Sequence, residues 1–384
     1  MLLHKRETAK GLPIDNQTSR QVNRQWTLVR TPPAGWPTEG DFSFDETTIP
    51  QPGPGQLTAR TIYLSMDPYQ WGRRRSGVER IGDVCHGRTV SVVMQSRHED
   101  YVEGDIIFNT NGWQEYGLVG EDVSVFNYMF PRKIDPALAP VSTAIGVLGM
   151  LGLTAYSGVY LQCQPQPGET VVVSAASGGV GQNAGQIAKI KGCRVIGIAG
   201  SDEKCRFVEE TLGFSACINR NAEDFPARLA AACPDGVDIY FESAGGMVFE
   251  AVLPLFNKNS RITLCGLISQ YGNEEPGSGQ ENWKRLGQPV FDRLNVTVHG
   301  LFVGNFVKDY QEAFLADMSG WIKDGLVRYK EDLWQGLENA PDAFSALLKG
   351  GNFGKTLVQV GEDPTLDEAT RQHRESDNVL GGSR

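Results

Sequence analysis

The amino-acid sequence predicts an α/β protein: a doubly wound parallel sheet, with a second, β-rich domain largely ahead of it. Three observations lead there. Beyond Pro167, apolar runs of strand length alternate with helical segments, the order that parallel strands joined by crossover helices require. The first of these strands runs straight into a glycine-rich turn and then a helix. From Gln25 to Val125, by contrast, short apolar runs are broken by Pro and Gly, the texture of antiparallel strands with long loops.

Taken in order, residues 1–20 are polar and are expected to be flexible. LTARTIYLSM (57–66), GRTVSVVM (87–94) and GDIIFNT (104–110) read as strands, and Asp67-Pro68 and Asp135-Pro136 mark turns. The most apolar window is Val141 to Tyr160, but Gly146, Gly149, Gly152 and Gly158 interrupt it. That pattern predicts closely packed buried helices, since a spanning helix needs about 20 predominantly apolar residues. ETVVVSAA (169–176) is the first strand of the parallel sheet and CRVIGIAGS (193–201) the second. KCRFVEETLG (204–213) reads as a helix stopped by Gly213, and ARLAAACPDG (227–236) as another. VDIYFESAGG (237–246), RITLCG (261–266) and LNVTVHGLFV (294–303) are further strands, with a loop over 272–292. DYQEAFLADMSGWIKDG (309–325) is helical, with Phe314, Leu315, Met318 and Ile322 apolar. NAPDAFSALLKGGNFGKTLVQV (339–360) closes with a helix, a glycine-rich turn and a strand. The tail is charged and nearly free of large apolar residues, so disorder is expected there. The domain reading is a flexible N-terminus (1–20), a β-rich domain (21–145 with 310–362), a parallel-sheet domain (146–309) and a disordered tail (363–384).

Of the 384 residues, 36 are Lys or Arg and 46 are Asp or Glu, a net charge of −10. Such a chain has no general attraction for nucleic acid or an anionic membrane. Its seven cysteines form no C-x-x-C pair, which argues against a disulfide framework or a zinc ribbon and fits a reducing cytoplasm. The start, MLLHKRETAK, is charged early and lacks the apolar core of a signal peptide. A catalytic zinc would need Cys or His ligands from the first domain. Cys85-His86 is the candidate there, yet no cysteine precedes it and the next is Cys163. In a strand the two side chains would also point to opposite faces. The expectation is therefore no metal, with Cys85 in the core and His86 at a pocket or the surface.

Ala176, Gly178 and Gly181 have the spacing of the dinucleotide fingerprint, with Ala in its first place and Gly179 and Val180 between. Small residues let the backbone approach a pyrophosphate, and the helix that follows offers free N–H groups and a partial positive charge. The motif alone is weak; its place between strand and helix gives it weight. An NAD site usually carries an acid at the end of the second strand, to grip the ribose hydroxyls. Ile198, Ala199, Gly200 and Ser201 stand there instead. Lys204 and Arg220 lie nearby and would favour the 2′-phosphate of NADP. The bland alternative makes Lys204 a solvated residue of a helix's first turn.

The segments LSMDPYQWGR (64–73), VLGMLGLTAYSG (147–158), CGLISQYGN (265–273) and ALLKGGNFGKTLVQV (346–360), with the glycine-rich turn, carry a resemblance. From about Gln25 to Val360 the chain resembles the zinc-independent medium-chain dehydrogenases/reductases, in the branch of prostaglandin, plant double-bond and curcumin reductases. The resemblance implies a Rossmann fold for the parallel sheet and a GroES-like catalytic domain. It implies NADP held by Ala176, Gly178, Gly179, Val180 and Gly181, with Lys204 on the 2′-phosphate; where the family usually has a tyrosine this chain has Arg220, an acceptable phosphate partner. It places Tyr271 at the nicotinamide ribose near the substrate carbonyl, Asn352 on the nicotinamide side and Tyr69 at the substrate pocket. Tyr271 and Tyr69 are then the candidate catalytic residues. The implied reaction is reduction of the C=C bond of an enone or enal by NADPH. The alternatives are a zinc-free quinone or carbonyl reductase on the same fold, or a non-catalytic NADPH-binding protein. The implied assembly is a homodimer, pairing the apolar edge strand at 294–303, which would otherwise be a hazard.

The chain departs from the branch in three places. Gln70-Trp71 replaces Met-Arg, Ser243-Ala244 replaces Asn-Val, and the 272–292 stretch lacks the usual proline-rich loop. On this basis Trp71 is expected to stack on an aromatic substrate.

Overall fold

The computed structural model describes residues 22–120, 128–273, 275 and 277–367; residues 1–20 and 368–384 of the expected flexible segments lie outside the described residues. The chain opens with β1 (Val22–Leu28), β2 (Phe42–Thr48), β3 (Leu57–Ser65), α1 (Tyr69–Arg75), β4 (Thr89–Ser96), β5 (Ile106–Asn109), β6 (Tyr116–Val119) and β7 (Arg132–Lys133). Helix α2 (Met150–Ala155) continues, more loosely wound, to Cys163. Then strands and helices alternate: β8 (Thr170–Ser174), α3 (Gly181–Ile190), β9 (Arg194–Ala199), α4 (Asp202–Arg206), β10 (Ala216–Asn219), α5 (Phe225–Ala232), β11 (Val237–Glu242), α6 (Gly246–Val252), β12 (Phe256–Leu264), α7 (Ser278–Leu294) and β13 (Thr297–Gly300). The last elements are α8 (Gly304–Lys323), β14 (Glu331–Gln335), α9 (Ala340–Leu348) and β15 (Lys355–Gln359).

Two sheets organise the chain. β8 to β13 form an entirely parallel sheet in the order β10-β9-β8-β11-β12-β13. The order reverses beside β8, the place where α/β sheets open a crevice for ligands. Strands such as TVVVS at β8 are buried throughout because helices cover both faces. One face packs Tyr156, Ile187, Val208 and Phe314, and the other packs Phe225, Tyr240, Val248 and Trp283. The second sheet runs β14-β15-β3-β4-β5-β7, with β6 also on β3. Its strands are antiparallel except β14 with β15. The fold class is thus as the sequence predicts.

Four details differ from the expectation. The stretch 272–292 is largely helix: α7 buries Trp283, Gly287 and Phe291 four residues apart, stacking Trp283 on Phe249 at 4.7 Å. Its glycines and Pro289 disguise this period, but Pro289 lies on the exposed side, where its ring meets no packed neighbour. The strand expected over 294–303 is confined to β13, because Leu294 ends α7. The boundary placed at 310 falls inside α8, whose Phe314 and Met318 belong to the core of the parallel sheet. The start of the tail is ordered: Asp363 is buried and accepts a hydrogen bond from the Tyr63 hydroxyl at 2.9 Å. No helix among the described residues is long and apolar enough to cross a membrane.

Candidate functional site

A cavity of about 530 Å³ lies between the two sheets, at the carboxyl ends of β8, β9 and β11. Both halves of the chain line it. The turn after β8 supplies one wall. Ala175 adopts a left-handed backbone with φ 51°, and the Ala176 N–H donates to the Ile198 carbonyl, folding the turn onto β9. A Cβ at Gly181 would stand 2.9 Å from the Ala175 carbonyl carbon, so only glycine lets α3 start so close to the turn. Gly178, Gly179, Val180 and Gly181 line the cavity, together with Ser177, which sequence reasoning did not single out. Ala176 does not line it: its methyl faces Gly197 of β9, where an added Cβ would lie 3.0 Å away.

Ile198, Ala199 and Gly200 line the next stretch, and no acid stands among them. The Ser201 hydroxyl caps α4 by accepting from the Lys204 N–H at 3.3 Å. This turns Lys204 toward the cavity, where its Nζ donates to the Gly350 carbonyl at 2.8 Å. Arg220 leans over the same place; a Cβ at Gly350 would meet its Nη2 at 3.4 Å. Burial and then the neighbouring Arg220 lower the Lys204 pKa. Two cations converging at one end of the cavity fit a phosphate group.

The opposite end holds Tyr69, Tyr271 and Asn352. Asn352 is set by its own Nδ2 donating to the Gly354 carbonyl at 2.9 Å. Tyr271 lies against Gly266, where a Cβ would stand 2.8 Å from its hydroxyl oxygen; burial pushes its pKa up to about 12. Its backbone is tied to α1: Arg75 Nη1 donates to the Tyr271 carbonyl at 2.7 Å. Tyr69, at the start of α1, meets His86 Nε2 at 2.8 Å through its hydroxyl, and burial raises its pKa. The two tyrosines therefore share one cavity with the turn and the cation pair.

Beneath Tyr69 lies a buried ion cluster that the sequence did not reveal. Asp67 Oδ1 takes Arg88 Nη2 at 2.7 Å and Lys355 Nζ at 3.1 Å. Ser65 donates to the other oxygen at 2.6 Å, and Lys355 also donates to the Met66 carbonyl. Burial alone would raise the Asp67 pKa, but Arg88 and Lys355 outweigh it and hold the carboxyl well below its ordinary value. Burial lowers Lys355 to about 8 against the pull of Asp67. The cluster escapes sequence reading because its members stand 21 and 288 residues from Asp67. Only the pairing of β3 with β4 and with β15 brings their ends together.

One other expectation changes. Trp71 is fully buried, packs on Phe344 and donates to the Gly35 carbonyl at 3.0 Å, so it offers no face to a substrate. Gln70 is likewise buried, donating to the Ser65 carbonyl at 3.1 Å. Both follow from α1: one turn of helix can point Tyr69 and Arg73 at the cavity only by turning Gln70 and Trp71 inward. The apolar wall comes instead from Tyr128, Met129, Met150 and Phe302. Cys85 is wholly buried, and burial pushes its thiol up to about 12. Among the described residues no three His, Cys, Asp or Glu side chains converge as a metal site.

Comparison with known proteins gives two family matches: an "N-terminal domain of oxidoreductase" over residues 24–125 and a "Zinc-binding dehydrogenase" domain over 179–319. The NADPH-dependent curcumin reductase of Escherichia coli is 42% identical over 349 residues, 90% of this chain and 99% of that one. The NADP-dependent 2-alkenal reductase of Nicotiana tabacum is 36% identical, covering 90% of this chain and 100% of that one. The crystal structure of CurA from Vibrio vulnificus in complex with NADPH superposes with a TM-score of 0.81 at 42% identity, covering 88% of this chain and 100% of that one.

The ion cluster generates a prediction. Asp67→Asn leaves two buried cations uncompensated and should lower the unfolding free energy by about 3–5 kcal/mol, the usual cost of breaking a buried pair on one side. Urea unfolding checks it; an unchanged midpoint would mean that solvent reaches the cluster.

Proposed function

The chain belongs to the medium-chain dehydrogenase/reductase family, in its double-bond reductase branch, and from that premise we propose that it reduces the C=C bond of α,β-unsaturated ketones or aldehydes with NADPH. The observation that carries the reading is the single cavity shared by a glycine-rich turn and a cation pair at one end and two tyrosine hydroxyls at the other. Lys204 and Arg220 would hold the 2′-phosphate, the turn from Ser177 to Gly181 the pyrophosphate, and Asn352 the nicotinamide side. When bound, NADPH supplies a hydride.

The protein's own part is orientation and electrostatics. The wall of Tyr128, Met129, Met150 and Phe302 offers an apolar bed for a conjugated substrate and keeps water from its β-carbon. As the β-carbon gains hydride, negative charge grows on the carbonyl oxygen. Tyr271 and Tyr69 have raised pKa values, so both hydroxyls stay protonated at neutral pH and remain hydrogen-bond donors to that oxygen. Conjugate reduction needs no stronger electrophile, whereas direct carbonyl reduction does. We propose that zinc takes no part: Cys85 is wholly buried in the core, and His86 is engaged by Tyr69.

We also propose a homodimer. β13 is an edge strand of the parallel sheet, with Val298 and, just beyond it, Phe302 exposed. An uncovered apolar edge favours pairing with a second copy. The cysteines of the described residues are all free thiols, which suits a cytoplasmic setting.

Four measurements test these readings. Lys204→Ala should raise the KM for NADPH about tenfold or more, the loss of a charge-assisted bond, and leave that for NADH nearly unchanged; equal effects on both would contradict the phosphate assignment. With deuteride-labelled NADPH, an enone and a chelator present, the label should appear on the β-carbon of a saturated ketone. Tyr271→Phe should then slow turnover by roughly tenfold to a thousandfold while NADPH still binds. Label on a carbinol carbon would instead assign a carbonyl reductase, and loss of rate to the chelator would restore the metal. Light scattering should give twice the chain mass; one chain mass would refute the dimer.

A further inference from the structure

Tyr69 does not stand alone at the cavity. Behind it, away from the lining residues, its hydroxyl oxygen meets His86 Nε2 at 2.8 Å, with the rings tilted at 56°. The backbone around that histidine is pinned on both sides. Its N–H donates to Glu79 Oε1 at 2.9 Å, and its carbonyl accepts from Arg74 Nη2 at 3.4 Å. Arg74 is itself immobilised: it is fully buried, pairs with Glu79 at 3.2 Å and lies 4.4 Å from the centre of the Trp113 ring and 4.8 Å from that of Phe344. So much fixed structure behind one side chain marks the direction of its contact with Tyr69 as the point of the arrangement.

A hydroxyl has one proton and a neutral imidazole one N–H, so the contact can run in two directions. If Tyr69 donates to Nε2, its proton is spent on the histidine and only lone pairs face the cavity. If Nε2–H donates to Tyr69, the hydroxyl keeps its proton for a ligand. We propose that His86 is a positioning residue of the second kind: its Nε2–H donates to the Tyr69 oxygen and turns the tyrosine O–H toward the substrate oxygen. This rests on the reading of Tyr69 as a donor to that oxygen.

The surroundings select this direction. Burial, and then Arg73, Arg74 and Arg88, disfavour the imidazolium, so the ring is neutral. The positive field of these three guanidinium groups suits a lone pair at Nδ1 better than an N–H there. With Nδ1 unprotonated, the ring's hydrogen is on Nε2, facing Tyr69.

The test is a double-mutant cycle with a tautomer measurement. His86→Leu should lower kcat about tenfold to a hundredfold, less than the loss of an oxyanion donor itself, with the Kd for NADPH unchanged. His86→Gln, which retains an N–H donor, should recover most of the rate. In a Tyr69→Phe background His86→Leu should have no further effect. Independently, ¹⁵N spectra of the protein without substrate should show a neutral His86 ring protonated on Nε2 at about pH 7. Additive losses in the cycle, or a hydrogen on Nδ1, would overturn the proposal. Should His86→Leu not fold, the tautomer decides alone. Absence of enone turnover by the unaltered protein would remove the reaction reading, while the substrate-free tautomer would still decide the direction of the bond.

Discussion

The buried carboxylate of Asp67 is the point on which the cavity depends. It terminates β3, opens the turn into α1 and takes charge from β4 through Arg88 and from β15 through Lys355. Strands that are neighbours in the sheet are thus also locked at their ends by charge. Side chains so deeply buried pay heavily for desolvation unless their partners are close, and here each partner is within hydrogen-bond reach. Tyr69 follows two residues after Asp67, so fixing the carboxylate fixes the first turn of α1 and the tyrosine it presents. Lys355 also lies against Gly179, where a Cβ would stand 3.2 Å from its Cδ. The same cluster therefore sets how closely the antiparallel sheet approaches the glycine-rich turn.

The second constraint is the tie between the tyrosines. Tyr271 belongs to the segment after β12 of the parallel sheet, and Tyr69 to α1 beside the antiparallel one. Arg75 reaches from α1 to the Tyr271 carbonyl, and Gly35 donates to the Gly272 carbonyl while accepting from Trp71. One helical turn thereby presents Tyr69 on its cavity side and grips the backbone of Tyr271 from another. Trp71, unavailable to a substrate, is a strut in this link. A departure from the family's usual residues at Gln70-Trp71 has been absorbed by packing.

The polarity of the cavity follows from the two sheets that wall it. Strand ends and helix starts of the parallel sheet bring backbone N–H groups, Lys204 and Arg220. The antiparallel side brings the tyrosines, with methionines and phenylalanine between. A phosphate-bearing group is suited to one end and a conjugated, weakly polar group to the other. That gradient requires both sheets.

By itself the sequence determined whatever is written locally. The alternation of β8 to β12 with helices, the turn at Gly178 to Gly181 and the missing acid after β9 are runs of a few residues, read by period and by side-chain size. Resemblance added Tyr69, Tyr271 and Asn352, which the structure brings into one cavity. α7 escaped because glycines and Pro289 blurred a period that burial of Trp283 and Phe291 enforces. Trp71 was misread because seven residues of α1 do not reveal which face of the helix meets the cavity. The Asp67–Arg88–Lys355 cluster and the Tyr69–His86 contact lay beyond sequence reasoning altogether. Their members are brought together by strand register and by the crossing of loops, and hydrogen bonds and ion pairs depend on distance in space rather than separation along the chain.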